Sequence, residues 1–227
     1  MKVWVFVEGE SDRLALSALW SVWAGSLQQA GWGIRIVPLD DKSRYFRKIG
    51  PRAAQKLVED SNDLVVGLPD LYPNQPYAGT EYEHGGLTDL QNVQSHLVER
   101  GLRDVFGVGE TTAAMSRFFP SALKHDLEML LLASAAPLRQ RLKTQDQLGN
   151  WRKPPEDQNQ NTPPKRVVEG LFRSKLGESY RDTTDAPAIL RNTTLRDVIL
   201  DEHGTVQCPV FKSVVDWIGS RTGVPAY

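Results

Sequence analysis

Lys2-Val3-Trp4-Val5-Phe6-Val7-Glu8-Gly9-Glu10-Ser11-Asp12 opens the chain, and its reading decides the fold. Residues 2–7 are a near-continuous run of apolar, β-branched and aromatic side chains, the pattern of a strand buried on both faces of a parallel sheet. The run ends abruptly on Glu8 and the Gly9 turn. Ser11 is placed as a helix N-cap, and Ala15, Ala18, Leu19, Val22, Trp23 and Leu27 then recur at helical spacing. A carboxylate therefore sits at the carboxyl end of a buried strand, on the turn that opens a helix. In α/β sheets that edge collects ligands and chemistry. A charge there must be solvated, paired or metal-bound, because burying it alone is too costly.

Working outward, residues 34–39 read as a second strand ending on Asp40-Asp41, and residues 64–68 as a third ending at Pro69-Asp70. Between them lies a basic stretch carrying Lys42, Arg44, Arg47, Lys48 and Arg52, with Pro51 placed as the first residue of a helix to about Glu59. Residues 73–86 read as a loop, 87–100 as a helix, 118–123 as a fourth strand and 129–135 as a helix. This rhythm predicts an α/β fold, a parallel sheet with right-handed crossovers and flanking helices. Residues 144–164 shift to Gln, Asn, Asp and Pro and read as a long exposed loop. Helices are expected over 167–176, 188–200 and 209–218. The domain reading is an α/β unit of residues 1–140, with residues 141–227 as a polar loop and helical C-terminal extension packed on it.

Composition narrows the classes. With 40% hydrophobic and 24% charged residues the chain reads as an ordinary folded protein, and a net charge of −1 excludes a strongly basic nucleic-acid coat protein. The single Cys208 excludes an internal disulfide and suits a reducing cytoplasm. With only five apolar residues between Lys2 and Glu8, no signal peptide is expected, and no apolar stretch approaches the ~20 residues that span a bilayer. The expectation is a cytoplasmic protein without membrane contact.

Three acidic positions fall at ends of expected elements: Glu8, Asp70, and Glu128 beside His125 and Asp126. Parallel strands bring their carboxyl ends to one edge, so Glu8 and Asp70 become neighbours. Converging carboxylates repel one another, and a hard divalent cation such as Mg2+ relieves the repulsion through oxygen ligands. Each residue also has a plainer role. Glu8 alone fits a helix cap or surface charge, Asp70 a turn, Asp12 a favourable charge at a helix N-terminus, and His125 a polar residue at a helix start. The basic run is either a solvated face or a phosphate-contacting patch. Cys208 beside Pro209 reads as a buried helix-start residue, with no His or Cys nearby to make it a nucleophile.

Val7-Glu8-Gly9-Glu10-Ser11-Asp12 resembles the Val-Glu-Gly-x-[Ser/Thr]-[Glu/Asp] opening of the toprim superfamily. Leu68-Pro69-Asp70-Leu71-Tyr72-Pro73 and His125-Asp126-Leu127-Glu128-Met129-Leu130-Leu131 resemble further blocks of a toprim-like bacterial branch related to overcoming-lysogenization-defect (OLD) nucleases, as does the late Cys208-Pro209-Val210-Phe211. The resemblance implies a toprim-like parallel sheet flanked by helices and a Mg2+- (or Mn2+-) dependent nuclease. Glu8 would be general acid/base or metal ligand and Asp70 a metal ligand, with His125 and Glu128 as further catalytic candidates. Tyr72 stands where the family's second Asp is expected, so Asp12, Asp126 or Glu128 would have to supply the missing oxygen. Lys42, Arg44, Arg47 and Lys48 would meet the nucleic-acid backbone. No Gly-x4-Gly-Lys-[Ser/Thr] loop is present, so the ATPase coupled to OLD-type nucleases would act in trans, in phage defence or DNA repair. The alternatives are a non-catalytic regulatory or structural subunit and a small-molecule phosphoesterase. Oligomeric state is open, a homo-oligomer included.

Overall fold

In the computed structural model, which describes residues 1–106, 108–149, 151–158 and 162–227, the opening run forms β1 (Lys2–Val7) at the centre of the sheet. It pairs in parallel with β2 (Gly33–Pro38) on one side and β3 (Leu64–Gly67) on the other, in the registers Val3↔Ile34 and Val3↔Leu64. β4 (Phe118–Pro120) joins the outer edge of β3, giving the order β2-β1-β3-β4 with every pairing parallel. The expected α/β sheet is present. Period-two alternation divides its faces. Val3, Val5, Val7, Leu64 and Val66 enter one core, whereas Phe6 and Val65 enter the other.

The Phe6 face is covered by α3 (Lys42–Glu59) and α4 (Leu87–Phe106), with α5 (Val108–Met115) leading into β4. Helix α3 departs from expectation: it begins at Lys42 and runs straight through Pro51. Asp41 explains the start, since its carboxylate accepts the Arg44 N–H at 2.7 Å as an N-cap. An interior proline costs about 3 kcal/mol. The buried stripe of Tyr45, Phe46, Ile49, Ala53, Ala54 and Leu57 offsets it, at roughly 1.5–3 kcal/mol for each large side chain. The backbones of α3 and α4 approach closely at Gly50 and Gly101. A Cβ on Gly50 would lie 2.5 Å from the Leu97 carbonyl oxygen.

The Val3 face is covered by α1 (Glu10–Leu19) and α2 (Ser21–Gln29) together with the C-terminal half of the chain. The single expected first helix breaks at Trp20, and its N-cap is Gly9 rather than Ser11. The side chain of Asp12 reaches back to accept the Gly9 N–H at 2.9 Å, which starts the helix before Ser11. After α6 (Glu128–Ala133) and α7 (Ala135–Arg141) come α8 (Pro164–Leu176), α9 (Asp182–Leu190), α10 (Leu195–Ile199) and α11 (Pro209–Thr222). The helix expected over 188–200 is thus two, divided at Asn192-Thr193-Thr194, where Thr194 accepts the Asp197 N–H at 3.1 Å and caps α10. Phe172, Ile189 and Phe211 from these helices share one buried cluster with Val3, Val5 and Val7. Cys208 is buried at the N-cap of α11, with Pro209 in the first turn. Among the described residues no helix is long and apolar enough to cross a membrane.

The polar segment 144–164 is only in part the exposed loop its composition suggested. Among its described residues Leu148, Glu156 and Gln158 are buried, and Glu156 accepts the Val210 and Phe211 N–H groups at 2.8 Å each. A carboxylate thereby satisfies the orphan donors of α11 and complements its dipole. Residues Asn150 and 159–161 lie outside the described residues. Glu156→Ala strands one buried and one partly buried donor and is expected to destabilise the chain by about 2–3 kcal/mol in urea unfolding. An effect below about 0.5 kcal/mol would show the cap to be unimportant.

Candidate active site

The strand order places a topological switch between β1 and β3. From β1 the chain crosses to β2 by α1 and α2 on one face, and from β2 to β3 by α3 on the other. The crevice outside the carboxyl ends of β1 and β3 is where open α/β sheets bind ligands. Glu8 follows β1 into it and Asp70 follows β3. The two meet directly, the Asp70 N–H donating to Glu8 Oε1 at 3.1 Å. Beyond β4 the chain stays in register: Leu71 N–H donates to the Leu123 carbonyl at 2.7 Å and Leu123 N–H to the Pro69 carbonyl at 2.9 Å. This parallel extension delivers His125, Asp126 and Glu128 to the same edge.

The result is a cavity of about 700 Å3 whose walls include Glu8, Asp12, Asp70, Asp126 and Glu128, with Lys42 and Lys165. Asp70 has the most demanding environment. Its Oδ1 is buried without a hydrogen-bond partner. Burial, reinforced by the charges of Glu8, Asp12 and Asp126, holds its carboxyl well above the ordinary range, opposed by Lys42. Burial raises Glu8 to about 8, again against Lys42 and with Asp12 adding to the rise. Burial raises Asp12 to about 6, opposed by the Gly9 N–H bond, and Glu128 to about 7, opposed by Lys165. Asp126 is raised by burial while its Oδ2 accepts the Lys165 N–H at 3.0 Å. Burial thus disfavours the charged form of each acid, and an arriving positive charge favours it.

His125 is buried in the same wall, its ring stacked on Tyr72 with centroids 5.4 Å apart. Burial and the neighbouring Lys124 push the imidazole below its ordinary value. Tyr72, at the position of the expected second acid, therefore presents an aromatic ring and no carboxylate. The basic residues separate. Lys42 leaves the exposed face altogether: it is buried, and its Nζ donates to the carbonyls of Leu71 and Pro73 at 2.9 Å each. The physical reason is the Asp41 cap, which puts Lys42 at the first position of α3, facing the sheet edge. Arg44 stays exposed and pairs with Asp40 at 3.7 Å and Asp41 at 3.5 Å; Lys48 pairs with Asp40. Arg47 is exposed on α3 and lines a separate hollow with Tyr82 and Arg100.

Sequence reasoning missed Lys165. It lies far from the acidic blocks along the chain, behind a polar segment, and only the packing of α8 brings it to Asp126, with its Nζ on Asp182 at 3.0 Å. No local signal marks it.

Among the described residues no three His, Cys, Asp or Glu side chains form a complete metal-ligand set. The donor chemistry nonetheless fits a hard divalent ion. The crevice offers carboxylate oxygens, Asp70 Oδ1 has no other partner, and Mg2+ commonly binds through one or two carboxylates while keeping its waters.

Among solved structures, the chain is similar to the C-terminal region of the Burkholderia pseudomallei OLD protein, at 14% identity and a TM-score of 0.47, covering 97% of this chain and 98% of that one. It is also similar to the C-terminal region of the Xanthomonas campestris pv. campestris OLD protein, at 16% identity and a TM-score of 0.40, covering 86% of this chain and 85% of that one. No curated protein matches it significantly. Residues 7–218 match the family described as "Domain of unknown function (DUF4276)", a span that runs from the last residue of β1 into α11, and the chain belongs to that family.

Proposed function

We propose that the chain is a Mg2+- (or Mn2+-) dependent nuclease, hydrolysing phosphodiesters of DNA or RNA in the crevice between β1 and β3. The observation that carries this is the buried, unpartnered Asp70 Oδ1 beside Glu8 at the topological switch point. Asp70 and Glu8 would hold the ion, with Asp12, Asp126 and Glu128 as the surrounding acids. When bound, such an ion polarises the phosphate and orients water. Water supplies the incoming oxygen, and the phosphorus–oxygen bond to the leaving group breaks. Without the ion, burial raises Glu8 to about 8; holding the ion favours its ionised form, which is placed to take up the proton of that exchange. Neutral His125 and Glu128 are next in line for proton transfer. Lys42 belongs to the crevice, while Arg44, Arg47 and Lys48 on the outer side of α3 would meet the nucleic-acid backbone, with affinity falling steeply as salt rises. An ATPase would act together with the chain.

A second reading, a non-catalytic subunit, is favoured by Tyr72 and by the lack of a three-acid ligand set among the described residues. The purified chain offered supercoiled plasmid, single-stranded RNA and small phosphoesters, each with Mg2+, Mn2+ or chelator, separates these. Metal-dependent cutting of a polynucleotide supports the nuclease. Turnover of small esters alone changes the substrate class, and binding of nucleic acid without turnover in any metal favours the non-catalytic subunit.

A further inference from the structure

We propose that the crevice takes a single divalent cation, at Asp70 and Glu8, and that the Lys42 ammonium is the site's second, built-in positive charge. This deepens the nuclease reading and rests on it for the nature of the ion.

Several acid oxygens in the crevice are already engaged. Glu8 Oε1 accepts the Asp70 N–H at 3.1 Å, Asp12 Oδ2 the Gly9 N–H at 2.9 Å and Asp126 Oδ2 the Lys165 N–H at 3.0 Å. Asp70 Oδ1 is buried with no partner at all. An orphaned acceptor beside a carboxylate with one oxygen already committed calls for a cation.

Lys42 occupies the adjoining corner. Its Nζ donates at 2.9 Å to the carbonyls of Leu71 and Pro73, the two residues that bracket Tyr72. An ammonium is thus fixed against the backbone just beyond Asp70, where the intervening side chain turns its ring onto His125. Lys42 lines the same cavity as Glu8 and Asp70. Lys165, the other cation of the cavity wall, is tied to Asp182 at 3.0 Å. A second divalent ion near Tyr72 would find an aromatic ring at the position of the expected second acid and would be repelled by the ammonium. Ion and lysine then divide the neutralisation of the crevice between them.

The test is Mn2+ titration of the full chain by calorimetry, with electron paramagnetic resonance of the bound ion. The expected result is one Mn2+ per chain, with the spectrum of an isolated ion, lost in Asp70→Asn. Lys42→Met keeps the apolar stem and removes the charge. It is expected to bind the first ion about tenfold more tightly and to admit a second, because a like charge has gone. Lys42→Gln, which retains a donor for the two carbonyls, carries the same expectation should the methionine variant fail to fold. Two ions in the wild type, or weaker binding in both Lys42 variants, would overturn the inference and leave the nuclease reading standing. No ion in the wild type would overturn both.

Discussion

Glu8→Ala and Asp70→Ala are each expected to reduce metal-dependent phosphodiester cleavage by about 10³-fold or more, a loss of roughly 4 kcal/mol of transition-state stabilisation. The magnitude follows from where the two acids stand. They leave adjacent parallel strands, touch through the Asp70 N–H and line one crevice, and Asp70 Oδ1 is buried with no protein partner. Neither is replaceable by a neighbour already committed elsewhere. Asp12 supplies the contrast. One of its oxygens holds the Gly9 turn, so Asp12→Ala should lower cleavage only about 10- to 100-fold, the range of an outer-shell partner. Glu8→Gln and Asp70→Asn, which keep shape and remove charge, separate lost chemistry from lost folding. Single-turnover cleavage rates on one substrate check all of these, and unchanged rates in Asp70→Ala would remove Asp70 from the site.

The second large effect concerns stability without metal. Folded Glu8 holds its proton to about 8 against an ordinary 4.5, Glu128 to about 7, and Asp12 to about 6 against 3.8, burial being the main cause in each. In the unfolded chain the same groups have released their protons by about pH 5. Between those values the native state binds more protons than the unfolded state, so its stability falls as pH rises. The contribution is fully present below the unfolded values and is lost on passing through about pH 6 to 8. The metal-free protein should therefore melt at least about 5 °C lower at pH 8 than at pH 5. Asp70→Asn removes the charge with the least support, and should raise the melting temperature at pH 8 and flatten the pH dependence. Millimolar Mg2+ or Mn2+ should restore the wild type at pH 8 by mass action. A melting temperature that is flat or rises from pH 5 to 8, with no response to either ion, would show that the crevice is not under this electrostatic load.

The two effects have one origin. Buried acids kept short of positive charge are a poor choice for stability, and they are what a cation-binding site requires.

Legibility from sequence followed the range of the interaction. The strand before Glu8 was readable because its apolar run and glycine turn are local, and the β3–Asp70 junction for the same reason. The partnership of Glu8 with Asp70 needed only the rule that parallel strands end at one edge. Lys42 was misplaced because a basic run reads as a solvated face. The Asp41 cap, which starts α3 at Lys42 and turns that side chain inward, is one hydrogen bond that composition does not display. Pro51 misled for a related reason: tertiary burial along α3 outweighs the proline's local preference for a first turn. Glu156 lay hidden in a segment whose polar composition resembles a free loop, although its carboxylate caps a helix more than fifty residues later. Lys165 reached Asp126 only through the packing of α8, which no motif announces.

The most direct test of the Glu8–Asp70 centre is anomalous diffraction from crystals of the chain grown with Mn2+. The expected map has a manganese peak about 2.1 Å from Asp70 Oδ1, with a Glu8 oxygen in its coordination sphere and water at the remaining positions. A crevice free of anomalous density at saturating Mn2+, or an ion held by residues elsewhere, would contradict the assignment of Glu8 and Asp70 as the cation site.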